Sequence, residues 1–181
     1  MMKAQESTLV LIDYQGRLMP AIHEGDTLIA RATLLARTAG LLEVPVLGTE
    51  QNPDGLGPNV DAIRSLCRHT VGKLHFGACA DGLAQTLATQ APGREDVVIA
   101  GCEAHVCLLQ TALGLLDAGH RVWVVADASG SRRPADHTAA MQRLQQAGAT
   151  IVTHEMVVFE WLGSSAHPRF REVLALIKAE S

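Results

Sequence analysis

A thiol, a carboxylate and an amine, the groups a covalent hydrolysis needs, recur at equivalent places in this 181-residue chain. Asp13 closes the apolar run 8–12 and Lys73 closes the shorter run 69–73. Cys107 follows the apolar run 97–101 within a segment whose Val106, Leu109, Leu113 and Leu116 recur at helical three- and four-residue steps. A cysteine in the first turn of a helix faces unpaired backbone N–H groups and the positive end of the dipole, which favour the nucleophilic thiolate. Asp13 can take the thiol proton and return it to a leaving group, and Lys73 can hold both acidic groups in their charged forms. Glu50, just past the run 45–49, is a fourth polar group in an equivalent place. The competing readings are a packed cysteine and a structural Lys–Asp pair. A buried ion pair adds little stability, so a functional site is the better reason to keep one.

Those placements depend on strands that alternate with helices. Apolar runs at 8–12, 45–49, 69–73, 97–101, 121–126 and 150–153 read as six strands, several without polar alternation and so buried on both faces. Between them, helical patterns run from a cap at Asp26 or Thr27 to about Leu42, over 60–67, and from a cap at Asp81 to about Gln90. Further helices follow Gly101 as far as Gly119 and cover 135–147, 155–162 and 168–179. This alternation predicts one α/β domain over residues 1–181, a parallel sheet with helices on both faces. In such a sheet the strands' C-terminal ends share one edge, where open α/β folds bind ligands. Residues distant in sequence therefore converge there.

The bulk numbers exclude several classes. Hydrophobic residues make up 48% of the chain and charged residues 19%, which fits a packed core and not a disordered chain. A net charge of −4 leaves no basic footprint for nucleic acid. No run reaches the length of a bilayer span and the first residues lack a signal-peptide core, so a cytoplasmic protein is expected. Cys67, Cys79, Cys102 and Cys107 lack paired spacing and read as free thiols. His69, His75, His120, His154 and His167 show no metal spacing, and His105 reads as surface or interface.

Residues 9–15 (Leu-Val-Leu-Ile-Asp-Tyr-Gln), 73–78 (Lys-Leu-His-Phe-Gly-Ala) and 101–107 (Gly-Cys-Glu-Ala-His-Val-Cys) resemble, in order and spacing, the isochorismatase-like cysteine hydrolases. Asp127-Ala128-Ser129, an arginine pair and the helix leading to Gly148 extend the likeness over nearly the whole chain. The resemblance implies a three-layer α-β-α fold whose six-stranded parallel sheet has the order 3-2-1-4-5-6. It implies an Asp13–Lys73–Cys107 triad, a cis peptide between Cys102 and Glu103, and an oxyanion hole from the backbone N–H groups of Glu103 and Cys107. Nicotinamidases of the family hold a metal through an Asp-x-His set after the second strand. Residues 49–53 here (Thr-Glu-Gln-Asn-Pro) contain no histidine, so no metal and no cofactor are expected. The run Thr49-Glu50-Gln51 with its following Pro and Gly residues looks like the subgroup of bacterial YcaC-type and eukaryotic isochorismatase-domain proteins.

The expected activity is hydrolysis of a small amide-like or enol-ether-like molecule, with Gln15, Glu50, Gln51 and Phe76 as substrate-binding candidates. The alternatives are a metal-assisted, nicotinamidase-like amidase and a non-catalytic binding protein that uses Cys107 as an oxidation sensor. The apolar segment 155–162 and the C-terminal helix read either as core packing against the sheet or as a subunit interface. The resemblance, to a family whose members are usually oligomers, favours the interface and a homo-oligomer, a dimer or larger.

Overall fold

The computed structural model describes residues 1–180. Its six strands are β1 (Ser7–Ile12), β2 (Val46–Gln51), β3 (His69–Lys73), β4 (Asp96–Gly101), β5 (Arg121–Val125) and β6 (Thr150–Val152). The helices are α1 (Gly25–Leu41), α2 (Pro53–Leu56), α3 (Asp61–Arg64), α4 (Leu83–Gln90), α5 (Leu109–Asp117), α6 (Pro134–Gln146), α7 (His154–Leu162) and α8 (Phe170–Glu180). All strand pairs are parallel, and the order is β3-β2-β1-β4-β5-β6. The connections from β1 run outward in one direction and from β4 in the other, so the order reverses between β1 and β4.

Unbroken apolar strands are explained by cores on both faces. Alternate residues of a strand point to opposite sides. Leu9, Leu11, Val98 and Ala100 pack with α1, α7 and α8, whereas Val10, Ile12, Val97 and Ile99 pack with α4, α5 and α6. Each fully buried Leu or Ile contributes about 1.5–3 kcal/mol by leaving water.

Local details depart from the sequence reading where backbone geometry overrides the cap signals. Neither Asp26 nor Thr27 caps α1; the helix opens at Gly25 behind a left-handed Glu24, and Asp26 sits in its first turn, where the dipole favours it. Asp81 does not cap α4, because Gly82 at φ +95° fills that position. Asp81 instead accepts the His75 N–H at 3.0 Å and pairs with its ring at 3.2 Å. The segment after β4 begins with a π-helical turn, Ala104–Leu108, before α5 starts. Most of the apolar surface of α7 lies in the core: Val157, Val158, Trp161 and Leu162 are buried, and Trp161 Nε1 donates to Ser7 Oγ at 3.0 Å. Met156 and Phe159 of that helix stay exposed as large apolar groups, so α7 packs one face against its own sheet and leaves these two outward.

Gly101 ends β4 where no side chain fits. Its φ is +152°, and a Cβ there would lie 2.2 Å from the Ile12 carbonyl oxygen. That closeness lets Cys102 N–H reach the same oxygen at 2.8 Å and carries β4 past the end of β1. Gly101→Ala is expected to cost at least about 3 kcal/mol from backbone strain and overlap together. Thermal or urea unfolding of the variant against the parent protein measures this.

Candidate active site

Asp13 follows the last residue of β1 in a left-handed conformation, φ +54°, which aspartate tolerates better than most side chains. Its N–H still donates to Thr49 O at 3.2 Å, so the backbone stays attached to β2 while the side chain turns inward. The carboxylate is fully buried. Its Oδ1 accepts from Thr49 Oγ1 at 2.6 Å, and its Oδ2 lies 2.8 Å from Lys73 Nζ. Lys73 ends β3, two strands from Asp13, and its own side chain is without solvent exposure. Besides Asp13, its ammonium donates to Gln51 Oε1 at 2.6 Å and to the Phe76 carbonyl at 3.1 Å, and the His75 carbonyl lies 3.5 Å away.

Between the two charged residues lies β2, and its pleat decides which of its side chains take part. Thr49 and Gln51 face the site, holding Asp13 and Lys73 respectively. Glu50 points the other way: its Oε1 accepts the Asn59 N–H at 2.9 Å and lies 3.9 Å from Arg64 Nε. The expected pocket role of Glu50 is therefore corrected to a loop anchor. Thr49 was not singled out by the sequence, although its position two residues before Gln51 places it on the same face.

Cys107 sits in the π-helical turn after β4, nearly buried, with Sγ 3.7 Å from Gln51 Oε1. Burial and the Asp13 carboxylate beside it push the thiol up to about 12, while Lys73 pulls in the opposite direction. Burial and the neighbouring carboxylate thus act against the thiolate that the helix position favours, and the ammonium acts for it. The peptide between Cys102 and Glu103 is cis. The carbonyl of Glu103 receives the N–H groups of Val106 and Leu108 at 3.0 and 3.2 Å, and the Ala104 N–H donates to Gly130 O at 2.7 Å. Its carboxylate reaches outward to Arg132 Nε at 2.6 Å.

The remaining candidates divide. Gln15 is fully buried and both ends of its amide are taken: Oε1 accepts Gln51 N–H at 2.8 Å, and Nε2 donates to Gln51 O at 2.9 Å and Gly57 O at 2.6 Å. It holds Gln51 in place and has no free group for a substrate, which corrects its expected role. Phe76 contributes its carbonyl to Lys73, and its ring is half-exposed at the rim beside the exposed Leu74. His105 bonds Ser131 Oγ through Nδ1 at 2.9 Å. Among the described residues no three His, Cys, Asp or Glu side chains converge as metal ligands would. A cleft of about 220 Å³ near His23, Arg31 and His137 contains none of the residues around Cys107.

Comparison with known proteins gives this geometry a context. The model of the isochorismatase domain matches residues 7–156. Isochorismatase domain-containing protein 2 of Macaca fascicularis is 39% identical over 172 residues, which is 95% of this chain and 83% of that one. A Caenorhabditis elegans structure described as MAR1 ribonuclease superposes with a TM-score of 0.91 at 33% identity, covering 98% of this chain and 92% of the other. YcaC from Pseudomonas aeruginosa shares the fold, with a TM-score of 0.89 at 24% identity over 99% of this chain and 93% of its own. With the six-stranded parallel order and a family match over most of its length, the chain belongs to the isochorismatase domain family.

Proposed function

We propose that this chain is a cysteine-dependent hydrolase of small amide-like or enol-ether-like molecules. The observation that carries the reading is a fully buried Lys73–Asp13 pair, 2.8 Å apart, beside a nearly buried cysteine at the sheet's C-terminal edge. In the amide case the S–H bond of Cys107 breaks, its proton goes to Asp13, and the sulfur lone pair attacks the carbonyl carbon. The carbonyl electron pair moves to oxygen, where the backbone N–H groups of Glu103 and Cys107 receive it. Asp13 then protonates the leaving nitrogen. Water, losing its proton to Asp13, hydrolyses the thioester and restores the thiol. Lys73 stays charged throughout and offsets the negative charge as it passes between Asp13 and sulfur.

The rival readings have less support. A metal-assisted amidase lacks donors, since residues 49–53 hold no histidine and Glu50 is turned away toward Asn59. A redox sensor favours an accessible sulfur, whereas Cys107 is nearly buried. For RNA, the substrate class named for the Caenorhabditis elegans neighbour, a net charge of −4 and a site ammonium already surrounded by oxygen atoms are a poor match. We place the protein in the cytoplasm as a homo-oligomer. Its free cysteines suit a reducing compartment, and the exposed Leu74 and Phe76 beside the site suit coverage by a second subunit. No helix among the described residues is long and apolar enough to cross a membrane.

Cys107→Ala is expected to abolish hydrolysis of small amides while leaving the melting temperature near that of the parent; steady-state assays and thermal unfolding check both. Thiol ionisation, followed by alkylation rate against pH, is expected to move down in Asp13→Asn and up in Lys73→Ala, the signs set by the charge removed in each. An Asp13→Asn protein whose Cys107 ionises as in the parent would remove Asp13 as the proton acceptor. Stability has a matching signature. Unfolded cysteine ionises near 8.5, so between about 8.5 and 12 the folded state keeps a proton the unfolded state has lost. Stability therefore falls as pH rises through that window, and Cys107→Ala is expected to make the fall shallower in urea titrations. The remainder comes from Cys67, Cys79, Cys102 and Tyr14, whose burial shifts them in the same direction.

A further inference from the structure

Gln51 occupies an unusual place: one amide oxygen lies 2.6 Å from Lys73 Nζ and 3.7 Å from Cys107 Sγ. Its amide orientation is fixed by chemistry. The Nε2 group donates to the Leu74 carbonyl at 2.8 Å. A flipped amide would set its NH₂ against the Lys73 ammonium and its oxygen against the Leu74 carbonyl, two like-with-like contacts. The backbone is fixed as well, by the two bonds between Gln15 and the Gln51 peptide groups. The acceptor oxygen is therefore held against the thiol from both ends of the residue.

We propose that Gln51 is a positioning residue for the nucleophile, holding the Cys107 S–H toward its amide oxygen and away from Asp13 until substrate displaces the amide. This inference rests on Cys107 as the nucleophile and Asp13 as its base, and adds how the resting state is kept inert. A thiol donating to Gln51 is stabilised as a thiol. The same oxygen lone pairs facing a thiolate would repel it. By accepting from Lys73, the oxygen also takes up part of the ammonium charge that would otherwise favour the thiolate. Around the sulfur, the other charged or titratable groups are Asp13 after β1, Lys73 at the end of β3 and Cys102 after β4. Of these, Asp13 is the competing acceptor for the same S–H and Cys102 only a weak one, so the Gln51 oxygen acts by drawing the S–H from the carboxylate. The amide is only half-buried, and the carbonyl that secures it belongs to Leu74 on an exposed loop. A substrate amide entering past that loop can replace the Leu74 contact, swing the Gln51 oxygen aside and leave the S–H free to pass its proton to Asp13.

The test uses two substitutions with opposite expectations in the full-length protein. Gln51→Met keeps the length and removes the acceptor; Gln51→Glu keeps the acceptor and adds charge. Ionisation of Cys107 is read from thiolate ultraviolet absorbance, with Cys107→Ala in each background subtracted, and from iodoacetamide alkylation near neutral pH followed by mass spectrometry. Gln51→Met is expected to lower the pH of half-ionisation and to speed alkylation, about tenfold for a midpoint one pH lower. Gln51→Glu is expected to raise the midpoint and slow alkylation. A purely structural role would move the melting temperature and leave the titration in place. The inference is overturned if Gln51→Met ionises with or above the parent, or if Gln51→Glu ionises with or below it. Because the glutamate variant can keep its bond to Lys73, it gives a result even if the methionine variant does not fold. Turnover by Cys107→Ala would instead sink the hydrolase reading itself, whatever the Gln51 variants show.

Discussion

Two opposite charges held out of water across the width of a strand constrain everything else at this edge of the sheet. Asp13 follows β1 and Lys73 ends β3, strands about 9–10 Å apart with β2 between them. Only a long side chain spans that gap, and lysine does so with a stem that lies entirely inside the protein. Removing either partner would leave a buried charge uncompensated, which costs about 3–5 kcal/mol in comparable pairs. The strand beneath the bridge is shaped to it. Thr49 satisfies the second carboxylate oxygen and Gln51 the ammonium, so the pair is embedded in a small polar network inside two apolar cores.

Most of this frame was legible in the chain. Apolar runs without alternation signalled strands covered on both faces, and a polar residue after each run marked the common edge. The side chains whose roles the sequence did not separate share one cause. Gln15, Glu50 and Gln51 lie at an edge where a polar group can serve a substrate or the backbone of a neighbouring loop, and residue type does not distinguish these uses. Only register does: Gln51 falls on the Thr49 face, Glu50 on the opposite one, and Gln15 is used up by the Gln51 peptide groups. The ionisation of Cys107 was hidden for a similar reason. Helix position favours a thiolate, but burial and the distance to Asp13 depend on strands far away in sequence. An apolar helix such as α7 gives the same pattern whether it covers its own sheet or another subunit, and here Val157, Val158, Trp161 and Leu162 cover the sheet while Met156 and Phe159 face outward.

Family membership and chemistry reach different depths here. The relatives establish the domain and its sheet; the neighbour described as a ribonuclease and the YcaC protein share one backbone under different names. Function must therefore be argued from this chain's own side chains. What those side chains offer is a charge-neutral set around a thiol, with no further cation in contact with the sulfur.

The buried amide of Gln15 closes a loop at its base. Its bonds to the Gln51 and Gly57 carbonyls fasten the two feet of the segment between them, while residues 52–55 at its crest are exposed. A loop closed at its base by a side chain can change length or composition at its crest without shifting the strand end below. Changes at the exposed Pro53 and Asp54 are therefore expected to leave the bond network around Lys73 and Cys107 in place.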